Sequence, residues 1–150
     1  MYHYTGCGLS NVYLKNGYTI KKTPYGQGIS IHNLDGLHQA IGRNIALHAA
    51  EMTGEQFRFL RKELEFSQAS VGHLVGRDAQ SVALWEKKNG GKGVVPAFAA
   101  NYLRLVYLER LNGNVKVEES INRINELDRE IRDIEITLSD TEEGWMVEAA

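Results

Sequence analysis

The sequence predicts an α+β protein that is mainly helical. Before residue 34, short runs of Tyr, Gly and β-branched residues alternate with turn signals, which is typical of short antiparallel strands. From residue 34 onward, apolar residues mostly recur three or four positions apart, the period of a helix packed on one face. These observations divide the chain into a small antiparallel sheet plus helix (1–52), an all-helical domain (53–112), and an amphipathic helix with an acidic tail (113–150).

Two turn signals separate the candidate strands of the first segment, Lys15-Asn16-Gly17 and Thr23-Pro24-Tyr25-Gly26. The strand candidates are Val12-Tyr13-Leu14, Tyr18-Thr19-Ile20 and Gly28-Ile29-Ser30-Ile31. We therefore expect two or three antiparallel strands in one small sheet. A helix running to about Ala50 follows, and its buried face is predicted to carry Leu37, Ile41, Ile45 and, as a further candidate, Leu47.

Capping residues mark where the helices of the second segment begin. Thr53 and Gln56 have the spacing of a capping box, and Phe57, Leu60 and Leu64 form the buried stripe of the helix that follows. Phe66 and Ser67 end that helix, and Ser67 can cap the next one. Pro96 fits the first turn of a later helix that ends at Asn112-Gly113, with Leu103, Val106 and Tyr107 facing inward.

The third segment has the spacing of a heptad seam over about two heptads. Its apolar positions are Ile124, Leu127, Ile131, Ile134 and Leu138. This helix is expected either to pack on its own domain or to pair with a second copy of the chain. Beyond Ser139 the sequence is short and acidic, and we expect a loose tail.

Charge is segregated along the chain. The net charge is -2, yet residues 1–114 hold 13 Lys and Arg against 8 Asp and Glu, whereas residues 115–150 hold 4 against 11. A basic body with an acidic tail suits a polyanionic partner. A composition of 43% hydrophobic and 24% charged residues argues against a chain that is disordered throughout.

The stretch 67–86 has the pattern of two short helices that cross at a tight turn. Such a crossing needs a small residue at the close contact, which Gly72 supplies, and a residue that tolerates positive φ in the turn, which Gly76 supplies. Asp78 can cap the second helix. The inner faces are predicted to carry Val71, Leu74 and Val75 on the first helix and Val82 and Trp85 on the second.

This stretch resembles the helix-turn-helix of the phage-repressor, or Xre, family. The residues that fall in register are Ser67, Gln68, Gly76, Val82, Trp85 and Glu86. The resemblance covers the 60 residues from Thr53 to Asn112, and it implies a five-helix, lambda-repressor-like domain that binds operator DNA as a transcriptional repressor. The sequence departs from the pattern at Gly72, where alanine is usual, and at Ala79, Ala83 and Leu84, where polar or basic residues often occur.

The resemblance places the second helix of the pair in the major groove. There the Gln80 amide can bond adenine N6 and N7, Ser81 is an adaptable contact, and the apolar candidates for a thymine methyl are Ala79, Ala83 and Leu84. Gln68 is expected to bond a phosphate at the start of the preceding helix. Further phosphate candidates are Arg77, Lys87, Lys88 and Lys92.

Each of these residues also has a purely structural interpretation. Gln80 and Ser81 can be solvated residues of a first helical turn, and lysines near a surface loop need no ligand. Trp85 is expected in the core, and Glu86 is expected to pair with a nearby basic side chain. A helix-turn-helix that serves as a protein-interaction module without DNA remains the alternative function.

The histidines and the single cysteine raise a zinc hypothesis, since the architecture is similar to that of antitoxins that join an N-terminal zinc finger to an Xre domain. The candidate ligands are His3, Cys7, His32, His38 and His48. Those fingers use paired CxxC motifs, and only Cys7 is present here, so we expect no metal, no cofactor and no disulfide. No motif places a base or an oxyanion donor around Cys7, so we expect a small buried hydrophobe and no enzymatic activity.

Double-stranded operator DNA is the expected partner, bound by a homodimer because two half-sites lie about 34 Å apart. For residues 1–52 three roles remain open: binding a small toxin protein, sensing a small ligand, or enlarging the dimer interface. No apolar run reaches the roughly 18 residues of a membrane span, and the start MYHYTGCG lacks a signal-peptide profile. A cytoplasmic protein is therefore expected.

Overall fold

A computed structural model describes residues 1–87, 95–113, 115–127 and 137–148. These residues form a mixed α/β structure with six helices and three two-stranded antiparallel sheets, and about half of them are helical. The mainly helical α+β prediction is confirmed at this level. Within the described ranges, no helix is both long enough and apolar enough to cross a membrane.

The N-terminal strands form two separate pairs rather than one sheet, which corrects the prediction of a single small sheet. β1 (Tyr2–His3) pairs with β2 (Tyr13–Leu14), and β3 (Tyr18–Thr23) pairs with β4 (Gly26–Ile31). The candidate strand at Val12 is thus shorter than predicted, and β1 was not predicted at all. Two residues are too few to show the alternation by which a strand is recognised.

Helix α1 (Leu34–His48) begins after Asn33, whose side chain accepts a hydrogen bond from the amide of Gly36. Its inward face carries Ile45, which is buried, whereas Leu47 is 55% exposed, so the inclusion of Leu47 in that face was wrong. Arg104 closes its other end: one guanidinium nitrogen donates to the carbonyl of Ala46 and the other to that of Ala49. A cation at a helix C-terminus satisfies carbonyls that lack helical partners.

The three following helices begin where capping residues predicted. α2 (Gly54–Glu63) has the Thr53–Gln56 capping box, in which the Thr53 hydroxyl accepts from the Gln56 amide and the Gln56 side chain accepts from the Thr53 amide. α3 (Gln68–Leu74) is capped by Ser67, and α4 (Ala79–Trp85) is capped by Asp78. Local hydrogen-bonding chemistry therefore sets these three boundaries.

Helices α5 (Ala97–Leu111) and α6 (Val115–Leu127) complete the helical part. Pro96 occupies the N-cap position of α5, one residue before the predicted first turn, and makes no side-chain capping bond. Gly113, with φ of 74°, follows the end of α5 as predicted for a stop signal. Arg110 of α5 donates to the main-chain carbonyl of Glu63 at the end of α2. α5 therefore holds the C-terminal ends of α1 and α2 through two arginines.

A single hydrophobic core joins the N-terminal segment to the helices. Its largest fully buried side chains are Phe57, Leu60, Leu64, Leu103, Val71 and Val82. α1 adds Ile45 and Ala46, and the loop between β1 and β2 adds Leu9, which is 3% exposed. The helix predicted for residues 1–52 thus packs against α5 in the same core as the domain predicted for 53–112.

The C-terminal segment differs from the prediction. Leu138, the last position of the predicted heptad seam, begins strand β5 (Leu138–Thr141), which pairs with β6 (Gly144–Val147). The expected loose tail is therefore a hairpin with a two-residue turn at Glu142-Glu143. Ile131 and Ile134 lie outside the described residues, and so do the side chains of Ile124 and Leu127.

Candidate nucleic-acid interface

α3 and α4 cross closely because a glycine lies at their contact. A Cβ added to Gly72 would lie 2.8 Å from the carbonyl carbon of Asp78 and 2.9 Å from the carbonyl oxygen of Arg77. The amide of Arg77 donates to the carbonyl of Gly72 at 2.6 Å. Gly76 has φ of 74°, the left-handed conformation that favours glycine. The predicted roles of Gly72 and Gly76 are confirmed.

The inner side of this helix pair is anchored in the core. Val71 and Val82 are buried, as predicted, whereas Leu74 and Val75 are only partly buried against the core. The Trp85 ring meets the Phe57 ring edge-on, with centroids 5.9 Å apart. α4 is therefore fixed against α2, and its opposite side is left to solvent.

The outward side of α4 carries the predicted base-reading residues. Gln80 is exposed, Ser81 is half-buried, and the Ser81 amide donates to the Asp78 carboxylate at 2.8 Å. Of the apolar candidates, Leu84 is 56% exposed and Ala79 and Ala83 are half-buried. A polar amide thus stands in the first turn beside a largely apolar surface.

Asp78 fixes the start of α4 electrostatically as well as geometrically. Its hydrogen bonds from the backbone and side chain of Ser81 favour the ionised carboxylate, so they lower the pKa of Asp78 below its usual value. The cap is therefore formed by the charged side chain.

Arg77 is held in place by an aromatic ring. Its guanidinium carbon lies 5.1 Å from the centroid of the Phe98 ring, and its Nη1 donates to the carbonyl of Gly76 at 3.1 Å. Phe98 in turn meets Trp85 edge-on at 6.4 Å. Arg77 is itself exposed, so this stack presents a positioned cation at the turn before α4.

Glu86 and Gln68 belong to a buried polar network. Arg61 donates from Nε and Nη2 to the two Glu86 carboxylate oxygens at 2.7 and 2.8 Å, and from Nη1 to the carbonyl of Phe66. The predicted basic partner of Glu86 is therefore Arg61. Gln68 donates from Nε2 to Glu86 at 3.2 Å, so its amide faces inward to this network rather than outward to a phosphate.

The basic candidates are only partly described. Lys87 is exposed directly after α4. Lys88 and Lys92 lie outside the described residues. Arg77 and Lys87 are therefore the two phosphate candidates that the structure locates beside α4.

The histidines and Cys7 are not brought together. His38 bonds the Tyr4 hydroxyl at 2.9 Å and the Glu63 carboxylate at 2.6 Å, which ties the residue after β1 to α1 and α2. Burial raises the pKa of Tyr4, and the charge of Glu63 adds to this effect. Cys7 is half-buried against the core, close to its predicted role as a small hydrophobe. Among the described residues, no three His, Cys, Asp or Glu side chains are grouped to hold a metal ion.

The sequence did not predict the roles of two residues that support the candidate interface. Phe98 follows Pro96 with no local sign of a cation stack, because its partner Arg77 is on another element. Arg61 has the position of a solvated residue in α2, and only the fold shows that it is 8% exposed. Comparison with protein-family models, curated proteins and solved structures gave no match.

Proposed function

We propose that the protein is a sequence-specific DNA-binding transcriptional regulator that inserts α4 into the major groove of an operator. One observation carries this proposal: α3 and α4 form a unit locked through Gly72, Gly76 and the Asp78 cap, and its outward side presents Gln80. A rigid helix with exposed side chains in its first turn is what base readout requires. The resemblance to the phage-repressor family supports the same function.

Base contacts would come from the exposed side of α4. The Gln80 amide offers one donor and one acceptor, matching N6 and N7 of adenine. Leu84, which is 56% exposed, and the neighbouring Ala83 offer apolar contact to a thymine methyl. These three residues would give an operator preference for A·T pairs opposite α4.

Phosphate contacts would come from cations at the two ends of α4. Arg77 is held over Phe98 at the N-terminal side, and Lys87 is exposed at the C-terminal side. A helix of seven residues spans about 10 Å, so the two cations flank the groove-facing surface. The positive balance of residues 1–114 adds to the attraction.

The test is fluorescence anisotropy with a labelled fragment of the DNA upstream of the coding sequence, against a scrambled competitor, at two salt concentrations. Gln80→Ala is expected to weaken specific binding by about 5- to 150-fold, because a bidentate base contact contributes about 1–3 kcal/mol. The matched control is Gln39→Ala, which removes an exposed amide from α1. Lys87→Ala is expected to lower the slope of log affinity against log salt by about 1. Equal binding of specific and scrambled DNA by the native chain would refute sequence-specific recognition.

A protein-interaction module is the second candidate function. The observation that favours it is the composition of α4, whose outward side carries Leu84 with Ala79 and Ala83. Apolar contacts of this kind give an affinity that depends little on salt, whereas counterion release makes DNA binding fall steeply with salt. The two salt concentrations therefore separate the two candidates.

An autorepressing antitoxin is the specific regulator that the architecture suggests. Residues 1–33 pack onto the helices through Leu9 and through the Tyr4–His38 bond, and the remaining strand surface is available to a protein partner. The expected partner is a small toxin protein whose gene adjoins this one. Co-expression of the two proteins followed by affinity purification tests this proposal. A stoichiometric complex supports the antitoxin. If the neighbouring gene is expressed but its product does not co-purify, a ligand-responsive regulator is favoured.

A further inference from the structure

Two hairpins of the chain carry opposite charge. The basic hairpin (β3 and β4, residues 18–31) has Lys21 and Lys22, and residues 15–32 contain three lysines and no acidic residue. The acidic hairpin (β5 and β6, residues 138–147) has Asp140, Glu142 and Glu143, and residues 137–148 contain four acidic residues and no lysine or arginine. Charge alone therefore makes each hairpin a suitable partner for the other.

Each hairpin also has an apolar face. Cross-strand partners lie on the same side of a sheet, and sides alternate along each strand. In the basic hairpin the pairs Tyr18–Ile31 and Ile20–Ile29 share one face with Lys22. In the acidic hairpin the pairs Leu138–Val147 and Asp140–Trp145 share one face. Each face thus joins an apolar patch to one charge, and the two charges are opposite.

Within a single chain the acidic hairpin's face is open to solvent, and the basic hairpin's face is open at Ile20. At the other end of the basic face Tyr18 and Ile31 are half-buried, and the Tyr18 ring centroid lies 5.3 Å from that of Tyr2. Ile20 is 48% exposed in the basic hairpin, and Trp145 and Val147 are 72% and 67% exposed in the acidic hairpin. Within the described residues, neither Lys22 nor Asp140 forms an ion pair. An isolated two-stranded hairpin is marginally stable in water, so each gains from a covering surface.

We propose that the apolar face of the acidic hairpin docks on that of the basic hairpin in a second copy of the chain. The exchange is reciprocal in a two-fold dimer, so both hairpins of both copies are covered and the assembly closes. Trp145 packs against Ile20 and Ile29, and Asp140 of one copy pairs with Lys22 of the other. Within one chain Ile20, Trp145 and Val147 all remain exposed, so neither face covers the other and the occupant is a second copy.

The size of the faces sets the strength of the dimer. With strands of six and four residues, the two faces measure about 190 and 130 Å², and the smaller face limits each contact, so the two reciprocal contacts bury about 500 Å² in total. Stable specific interfaces cover at least about 1,200 Å². An interface of this size is typical of weak, transient association, so we expect the dimer to form only at high protein concentration, on the order of 10–100 μM.

Sedimentation velocity and tryptophan fluorescence over a concentration series around that range test the proposal without DNA. Trp85 is 8% exposed and Trp145 is 72% exposed, so a blue shift on association reports the acidic hairpin. Lys22→Glu and Asp140→Lys are each expected to weaken the dimer by about tenfold or more, because like charges then meet in both contacts. The control Lys62→Glu, at an exposed position of α2, leaves the dissociation constant unchanged.

The decisive experiment mixes the Lys22→Glu and Asp140→Lys variants. A Lys22→Glu chain beside an Asp140→Lys chain has opposite charges in both reciprocal contacts, so the mixture regains the dimer that each variant lost. A monomer at every concentration overturns the proposal. A dimer in which Trp145 keeps the emission of an exposed indole also overturns it. A blue shift that does not depend on concentration overturns it as well, because the two hairpins would then contact each other within one chain.

Discussion

Removing the buried carboxylate of Glu86 should cost much of the stability of the helical core. Glu86 and Arg61 are each 8% exposed, and the pair is joined by two hydrogen bonds of 2.7 and 2.8 Å. In Glu86→Ala the guanidinium remains buried without its counter-charge, and Gln68 loses an acceptor. Breaking a buried pair in this way costs about 3–5 kcal/mol. This is a large part of the roughly 5–15 kcal/mol that stabilises a typical domain.

Urea unfolding followed by far-ultraviolet circular dichroism measures the effect. In a thermal scan of a chain of this size the same loss corresponds to a Tm lower by about 6–20 °C. The matched control is Glu118→Ala, which removes the partner of Arg110 from an ion pair whose two side chains are 27% and 45% exposed. That change is expected to cost less than about 1 kcal/mol.

A double replacement tests the physical reason. Arg61→Met with Glu86→Leu removes both charges and keeps the volume filled, so it is expected to recover most of the stability lost in Glu86→Ala. If Glu86→Ala costs no more than Glu118→Ala, the buried Arg61–Glu86 pair does not stabilise the helical core. If the double replacement is as unstable as Glu86→Ala, the loss comes from packing and not from an uncompensated charge.

Three further perturbations follow from the structure. Phe98→Ala removes the ring under Arg77, so DNA affinity should fall about three- to tenfold while the circular dichroism spectrum stays unchanged. If anisotropy shows undiminished affinity, the ring does not position Arg77 for DNA. Gly72→Ala puts a methyl group 2.8 Å from the Asp78 backbone, so it should lower the free energy of unfolding, measured in urea, by about 1–3 kcal/mol. An unchanged midpoint of urea unfolding would show that the α3–α4 turn adapts to the methyl group. Burial raises the pKa of Tyr107 to about 12 from 10.0, so the folded state holds this proton more tightly than the unfolded chain. This contribution to stability is complete below pH 10 and is lost as the pH rises to 12; it amounts to at most about 2.7 kcal/mol. Tyr107→Phe should therefore flatten the plot of unfolding free energy against pH between 10 and 12.

The acidic hairpin was not predicted from the sequence, although its turn resembles that of the basic hairpin. Thr141-Glu142-Glu143-Gly144 has the same spacing as Thr23-Pro24-Tyr25-Gly26, and in both turns the threonine hydroxyl donates to the glycine carbonyl. The first turn was recognised because proline marks it. The second lies in a stretch that is short, acidic and without a pattern apart from Trp145 and Val147, so the sequence predicts a loose tail there. Comparing the two turns would have predicted the hairpin.

Local chemistry determined much of this protein from the sequence alone. The caps at Thr53, Ser67 and Asp78 act within three residues, and the glycines of the α3–α4 turn are required by backbone geometry close by. Such effects do not depend on distant parts of the chain. The helix pair and its exposed Gln80 could therefore be predicted without a structure.

Only the tertiary structure decided which distant residues meet. Arg61 and Glu86 are 25 positions apart, Tyr4 and His38 are 34 apart, and Arg104 reaches Ala46 across 58. Each contact depends on how the helices pack, and one sequence carries no local mark of that packing. For the same reason the sequence predicted Arg77 as a phosphate contact but not the ring of Phe98 that holds it in place.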